Sequence, residues 1–277
     1  MSENTKQETT HRLFLGNIEP QAGLLNAPPD SQLLYKIVSV ENLLHSIRDN
    51  YLHFNRVDCY RDFHGADSCD GSQLPKDYEV NAGVKFANSP DLSAASYYDL
   101  SRARTYACCF SLSNSAYIWK NYANASERGK VCLVFNFGKL REVINKTLQP
   151  GKAWLFYNGI QCHQLFSVNY GVVEYVEFSI HQANKERLPN PIKYTYIKDK
   201  RFEDENEMRI SLSALGIGTF ALTDRTMMDF PDNVQLSFDF KSAIADQTIH
   251  QMLVQPETDT KFLMAELKKL GIKLSQE

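Results

Sequence analysis

Residues 130–137 read KVCLVFNF. In an extended chain side chains alternate between faces. Val131, Leu133, Phe135 and Phe137 therefore line one face, and Cys132 and Val134 the other. A strand that is apolar on both faces must be covered on both, which places this one inside a sheet. Gly129 turns the chain into it, and residues 139–146 follow as a short amphipathic helix. Upstream, residues 105–112 read as a second buried strand, and Ser113-Asn114-Ser115 caps a short helix carrying Trp119 and Tyr122.

Further strands are predicted at residues 33–38, 51–54, 172–180, 206–212 and 248–254. The stretch 206–212 alternates, with Met208, Ile210 and Leu212 on one side and Glu207, Arg209 and Ser211 on the other. Ser39 caps a helix whose apolar face is Val40, Leu43, Leu44 and Ile47. Thr258 or Asp259 caps a last helix that Gly271 ends. Residues 1–30 read as a polar, poorly packed arm, residues 31–277 as a single domain, and residues 55–90 as a long irregular loop. Strands outnumber helices and most helices are short. The fold class is α+β, with a mixed, mostly antiparallel sheet.

The 277 residues carry a net charge of −3 and are 43% hydrophobic, as folded globular chains are. No apolar run reaches the roughly 20 residues that span a bilayer, and residues 1–7 lack the apolar stretch of a signal peptide. Six cysteines form no CxxC pair. Cys108, Cys109 and Cys132 sit in apolar runs and read as small buried hydrophobes. A reducing cytoplasm fits these features. His45, His53, His64, His163, His181 and His250 show no HxH or HExxH spacing, and GxSxG, GxGxxG and GxxxxGK[ST] are absent. Zinc-hydrolase, α/β-hydrolase, P-loop and Rossmann readings are disfavoured, and no metal is expected.

The densest acidic run is Glu203, Asp204, Glu205 and Glu207, in RFEDENEMRI. If the strand begins by Glu205, then Glu205, Glu207 and Arg209 share a face. Two carboxylates about 7 Å apart along a strand can hold hydroxyls and stabilise a developing cation. A solvated face of weak ion pairs is the plain alternative. Trp119 and Tyr122, at i and i+3, lie on one helix face and can stack on a planar ring or simply fill a core. Tyr35 and Lys36 point to opposite faces of their strand. Lys36, Arg56 or Arg61 can meet a phosphate or stay solvated. A magnesium-dependent nuclease built on the acidic run, and a non-catalytic binding module with the aromatic helix as contact surface, are the other readings.

The runs LLYKIVSVENLLHSIRDNYLHFN, CFSLSNSAYIWKNYANASERGKVCLVFNF and KDKRFEDENEMRI resemble, in that order, the bacterial family catalogued as domain of unknown function 2971. The resemblance covers roughly residues 33–270 and rests on the WxxYA and ExExRI motifs. Met208 stands where that family often has Trp. The order Lys36, Ser111-Leu112-Ser113, Glu205-Asn206-Glu207 is also similar to that of ADP-ribosyltransferases. That similarity implies NAD as substrate and a protein or nucleic acid as acceptor, with a role in bacterial stress or phage defence. It implies Glu207 as the catalytic carboxylate and Glu205 as the group orienting the acceptor. Trp119 or Tyr122 would stack on nicotinamide, and Lys36 or Arg56, with Tyr35 and Ser111, would hold NAD.

Overall fold

Ten antiparallel strands make one sheet in the computed structural model, which describes residues 19, 23–62, 67–148, 155–163, 166–181, 190–214 and 218–272. In chain order they are β1 (Leu33–Ser39), β2 (Tyr51–Arg56), β3 (Thr105–Ser111), β4 (Lys130–Asn136), β5 (Leu155–Tyr157), β6 (Ile160–Gln161), β7 (Phe166–Val172), β8 (Glu207–Ala214), β9 (Asn233–Ser237) and β10 (Ile249–Val254). Neighbours run β10-β4-β1-β3-β2-β9-β5-β6, with β8 on the other edge of β3 and β7 beyond it. β4 is interior, as its two apolar faces require. One edge of β3 is shared by two strands: β1 meets it where Tyr35 faces Ser111, and β2 where Asn55 faces Ala107.

The helices are α1 (Val40–Asp49), α2 (Pro75–Gly83), α3 (Ala94–Arg102), α4 (Ala116–Asn121), α5 (Phe137–Thr147), α6 (Phe240–Ala245) and α7 (Thr260–Lys269). Their ends follow from local chemistry. Ser39 Oγ accepts from Asn42 N at 3.1 Å, Asn136 Oδ1 from Lys139 N at 3.0 Å, and Asp259 Oδ1 from Phe262 N at 3.0 Å. The main core lies on the sheet face made by Leu34, Leu133, Phe135, Met208, Ile210 and Leu212, beneath Leu43 and Ile47 of α1, Leu140 and Ile144 of α5, and Leu263 and Leu267 of α7. Burying one such side chain contributes about 1.5–3 kcal/mol. The fold is α+β. No helix of the described residues is long and apolar enough to cross a membrane.

A second, smaller core of Leu74, Tyr98, Val176, Phe178, Tyr194 and Ile197 lies apart from the first. It accounts for two departures from expectation. Residues 55–90 are not one irregular loop. They hold a 3₁₀ helix (Val57–Asp62), α2 and a small hairpin of Lys85–Phe86 with Ser89–Ser93. Helix α2 is inverted, which hides it from a search for apolar periodicity. It buries Asp77 and Asn81, bonded to Tyr194 Oη at 3.1 Å and Gln73 Oε1 at 2.8 Å, and exposes Tyr78 and Val80. The strand expected at 172–180 is instead split. β7 ends at Val172, and Glu174–Val176 pairs in parallel with Ile197–Asp199, so it serves the second core.

The described part of the N-terminal arm is pinned rather than loose. Glu19 forks onto Arg141 at 2.7 and 2.6 Å and accepts from Asn145 at 2.7 Å. Asn26 and Asp30 give their carbonyls to Val172 N and Gly138 N. These contacts use polar atoms, which is why an apolar pattern does not reveal them.

Candidate functional site

Because Met208, Ile210 and Leu212 face the main core, alternation sends Glu207 and Arg209 to the opposite face of the sheet. There β8 lies in register with β3, Glu207 opposite Ser111 and Arg209 opposite Cys109. Arg209 is fully buried. Its Nη1 and Nη2 grip the carboxylate of Asp70 at 2.5 and 2.8 Å, and its Nε and Nη2 grip Glu207 at 2.8 and 2.9 Å. Nη1 also donates to Thr195 O at 2.7 Å. All five guanidinium donors are thereby used, as a buried arginine requires.

Lys198, from the Ile197–Asp199 strand, brings a second cation. Its Nζ contacts Glu205 directly and lies 3.3 Å from Glu207 Oε2 and 4.0 Å from Asp70 Oδ2. The ring of Phe202 lies 5.0 Å from the same ammonium. Three buried carboxylates thus face two buried cations. Burial works against the charge on Lys198, but Glu207, Asp70 and Glu205 outweigh it and raise its pKa.

The two glutamates differ. Burial opposes ionisation of Glu207, yet Arg209 and then Lys198 prevail and hold its carboxyl well below the usual range. Burial and the adjacent Glu207 charge raise the pKa of Glu205, against the pull of Lys198. Glu207 is also the better supplied: Arg209 donates to both its oxygens and Lys198 reaches Oε2, with the Cys109 thiol beside it. Three donors fill most of the roughly four acceptor positions of a carboxylate. Lys198 donates to Glu205, and the Tyr122 phenol lies near it.

Hydroxyls surround the cluster. Tyr175 Oη accepts from Glu207 N at 2.8 Å. Tyr60 Oη donates to Ala107 O at 3.1 Å and lies 3.2 Å from Cys109 Sγ. Burial, then the charge of Glu207, pushes the Cys109 thiol well up, so it stays protonated and is no nucleophile. Tyr117 of α4 lies close enough to Glu205 for that charge, after burial, to raise its phenol.

The expected site residues separate into those the fold brings together and those it does not. Glu205, Glu207 and Tyr122 converge, and Ser111 joins them by donating its Oγ to Glu205 O at 2.8 Å. Tyr35, in register with Ser111, lies on the same sheet face. Lys36 leaves from the other face. Its Nζ donates to Cys109 O at 3.0 Å and stands 5.2 Å from the Phe110 ring, closing the gap where β1 and β2 diverge from β3.

Arg56 is opposite Tyr106, at the far end of β3 from Ser111, and is held by Asp58 at 2.6 Å and the Phe230 carbonyl. Trp119 and Tyr122 do not share a helix face. α4 stops at Asn121 and Tyr122 is extended, so the indole turns to Asn114 Oδ1 at 2.7 Å while the phenol turns to Glu205.

The premise that Glu205 begins the strand does not hold. Glu205 closes a 3₁₀ helix (Lys200–Glu205), and Asn206 is left-handed at φ 45°, so the strand begins at Glu207. Glu203 and Asp204, on the outer side of that 3₁₀ helix, are exposed, so the acidic run does not act as one. Asp70 and Lys198 had no distinguishing signal: one lies in the apparent loop, and the other reads no differently from Lys200. Among the described residues no group of three or more His, Cys, Asp or Glu side chains is arranged to hold a metal ion. Compared with family models, curated proteins and solved structures, the chain matches none.

Proposed function

We propose that this chain is an ADP-ribosyltransferase-like enzyme of the bacterial cytoplasm that cleaves NAD and passes ADP-ribose to a protein or nucleic acid, in stress response or phage defence. One observation carries the reading: a single buried lysine, Lys198, bridges two adjacent glutamates while Arg209 grips Glu207 alone, an unequal supply of cations that pushes their acidities apart as paired acid–base roles require. Glu207, gripped by Arg209 and reached by Lys198, serves as the fixed negative charge. Glu205, beside two tyrosines and nearer the surface, is the carboxylate that meets the substrate. This exchanges the roles that motif order alone assigns to the pair.

In the reaction the ribose–nicotinamide C–N bond breaks, and neutral nicotinamide leaves with the bonding electrons. The ribose then carries oxocarbenium character, which nearby carboxylate charge stabilises. Glu205 accepts a hydrogen bond from a ribose hydroxyl, or takes the proton of the attacking acceptor as the new C–O or C–N bond forms. Tyr35 and Ser111 lie on the same sheet face, while Lys36, Arg56 and Trp119 are directed elsewhere. The nuclease reading is weakened by Lys198, whose ammonium lies where a cation shared by Asp70, Glu205 and Glu207 would go. The binding-module reading draws on the saturation of Arg209, since satisfied buried networks also serve as scaffolds.

Incubation with NAD decides between the two. The enzyme reading expects nicotinamide in the supernatant by chromatography, above a protein-free control and rising with protein concentration. No release in the presence of mixed protein and nucleic-acid acceptors would leave the binding module as the better account.

A further inference from the structure

The large sheet has three outer strands, β6, β7 and β10, and the chain treats them differently. β6 runs on into a bridge between Cys162 and Leu222, and Gln161 O accepts from Thr223 N. β7 is crossed by the N-terminal arm. Asn26 O accepts from Val172 N, and Leu25 comes so close to Gly171 that a Cβ there would meet it at 3.1 Å. β10 pairs with β4 on one side, and no described residue pairs with its other side.

That free side carries backbone donors and acceptors in regular order. Gln255 N donates to Lys130 O, so alternation turns the backbone groups of Gln251, Leu253 and Gln255 inward to β4. Those of Met252 and Val254 point outward. The irregularity of the strand falls between Ile249 and Gln251, and the register beyond it is unbroken. Charge does not blunt the edge. Residues 249–254 read IHQMLV, without the lysine or proline by which natural edge strands turn a second strand away. Val254 is 44% exposed. An open, uncharged edge of this kind is a template for another strand.

The sequence itself selects the partner. Residues 251–255 read QMLVQ, amide–apolar–apolar–apolar–amide from either end. Laid antiparallel on a second copy about a two-fold axis at Leu253, the strand sets Leu253 beside its own mate, Met252 opposite Val254 and Gln251 opposite Gln255. Apolar side chains meet apolar ones, amides meet amides, and no like charges face each other. The outward groups of Met252 and Val254 then hydrogen-bond reciprocally, because both belong to the same side of the ladder. A strand of unrelated sequence gains the backbone bonds without this side-chain match.

We propose that β10 is a dimerisation edge, through which two copies of this chain join antiparallel over Met252–Val254 and continue one sheet across the axis. β4, β1 and β3 lie between β10 and β8, so the dimer leaves the acidic site clear. The assembly stands on the chain's own edge and holds whether or not the protein turns over NAD.

Sedimentation velocity of the full-length protein at rising concentration tests it, and a monomer–dimer equilibrium is expected. Val254→Pro tests the surface. It removes an outward N–H but no bond to β4, a place where edge strands accept proline. Its far-UV circular dichroism should match wild type, while the dimer dissociation constant rises about tenfold or more. Leu253→Cys tests the register. Facing residues of a non-hydrogen-bonded pair lie about 4.5 Å apart at Cα, within disulfide reach. Mild oxidation should join Cys to its mate, seen by mass spectrometry as a linked pair of tryptic peptides 242–261, which hold no other cysteine. Gln251→Cys, roughly 13 Å from its mate along the strand, should not link.

A chain that stays monomeric at about 100 µM, where even weak interfaces assemble, would overturn the proposal. So would a dimer that Val254→Pro leaves unchanged, or a Leu253→Cys variant that links no better than Gln251→Cys.

Discussion

Replacing Arg209 with methionine is expected to cost about 3–5 kcal/mol of folding stability, because removing one member of a buried ion network leaves the others as uncompensated buried charge. The guanidinium has no exposure and uses all five donors, on Asp70, Glu207 and the carbonyl of Thr195. Methionine restores the volume but none of these bonds. At roughly 2–4 °C per kcal/mol for chains of this size, the melting temperature should fall on the order of 10 °C. Arg209→Lys is expected to recover little, since an ammonium cannot fork onto two carboxylates in the fixed geometry that the guanidinium provides. Adding Asp70→Asn to Arg209→Met should regain part of the loss, because one of the stranded charges is then gone. Urea unfolding of the three variants measures the effect. A loss below about 1 kcal/mol for Arg209→Met, the ordinary cost of a point substitution, would mean that the network does not hold the site together.

The second large effect separates the two glutamates. Glu205→Gln should lower nicotinamide release by about 100-fold or more, the usual consequence of removing one preorganised electrostatic group from a reaction that develops charge. Its melting temperature should fall less than that of Glu207→Gln, because Lys198 keeps Glu207 and Asp70 as partners and Arg209 loses no bond. Glu207→Gln should do the reverse in stability. It leaves Arg209 and Lys198 facing two carboxylates instead of three, and a loss of about 3 kcal/mol is expected for breaking a buried pair.

The same asymmetry fixes the pH dependence. The folded-state pKa of Glu207 lies below its unfolded value, so its stabilisation is complete above the unfolded pKa and is lost as pH falls toward the folded one. Glu205 has the opposite sign. Its ionised form penalises the fold above its raised pKa, and protonation relieves that penalty as pH falls. Wild-type stability should therefore decline more steeply in acid than that of Glu207→Gln. Parallel acid limbs would contradict the assignment.

Much of the fold was legible because it is written in apolar alternation. β4 and β8 show their faces directly, and the caps Ser39 and Asp259 mark helices that begin where expected. What stayed hidden was polar packing. α2 buries Asp77 and Asn81 and exposes Tyr78 and Val80, so its pattern reads backwards. The arm is pinned by Glu19 on Arg141, a pair 122 residues apart that leaves no local trace.

The site was half visible for the same reason. Glu205 and Glu207 stand out as a pair near one another in sequence, although the turn at Asn206, rather than strand alternation, sets their relation. Asp70 lies 139 residues from Arg209, and only the fold pairs them. Lys36 illustrates the converse. Motif order placed it in the site, but one step along β1 from Tyr35 is enough to send it to the other face, onto the Cys109 carbonyl.

The central claim is that Lys198 and Arg209 divide two neighbouring carboxyls into a fixed anion and a substrate-facing group of raised pKa that can take up a proton. A ¹³C NMR titration of the glutamate side-chain carboxyls tests it most directly, with Glu205→Gln and Glu207→Gln to assign the two signals. The account predicts that Glu205 takes up a proton at a higher pH than an ordinary glutamate, while Glu207 remains ionised until acid unfolds the protein. Two signals that titrate together near the ordinary glutamate value would contradict it.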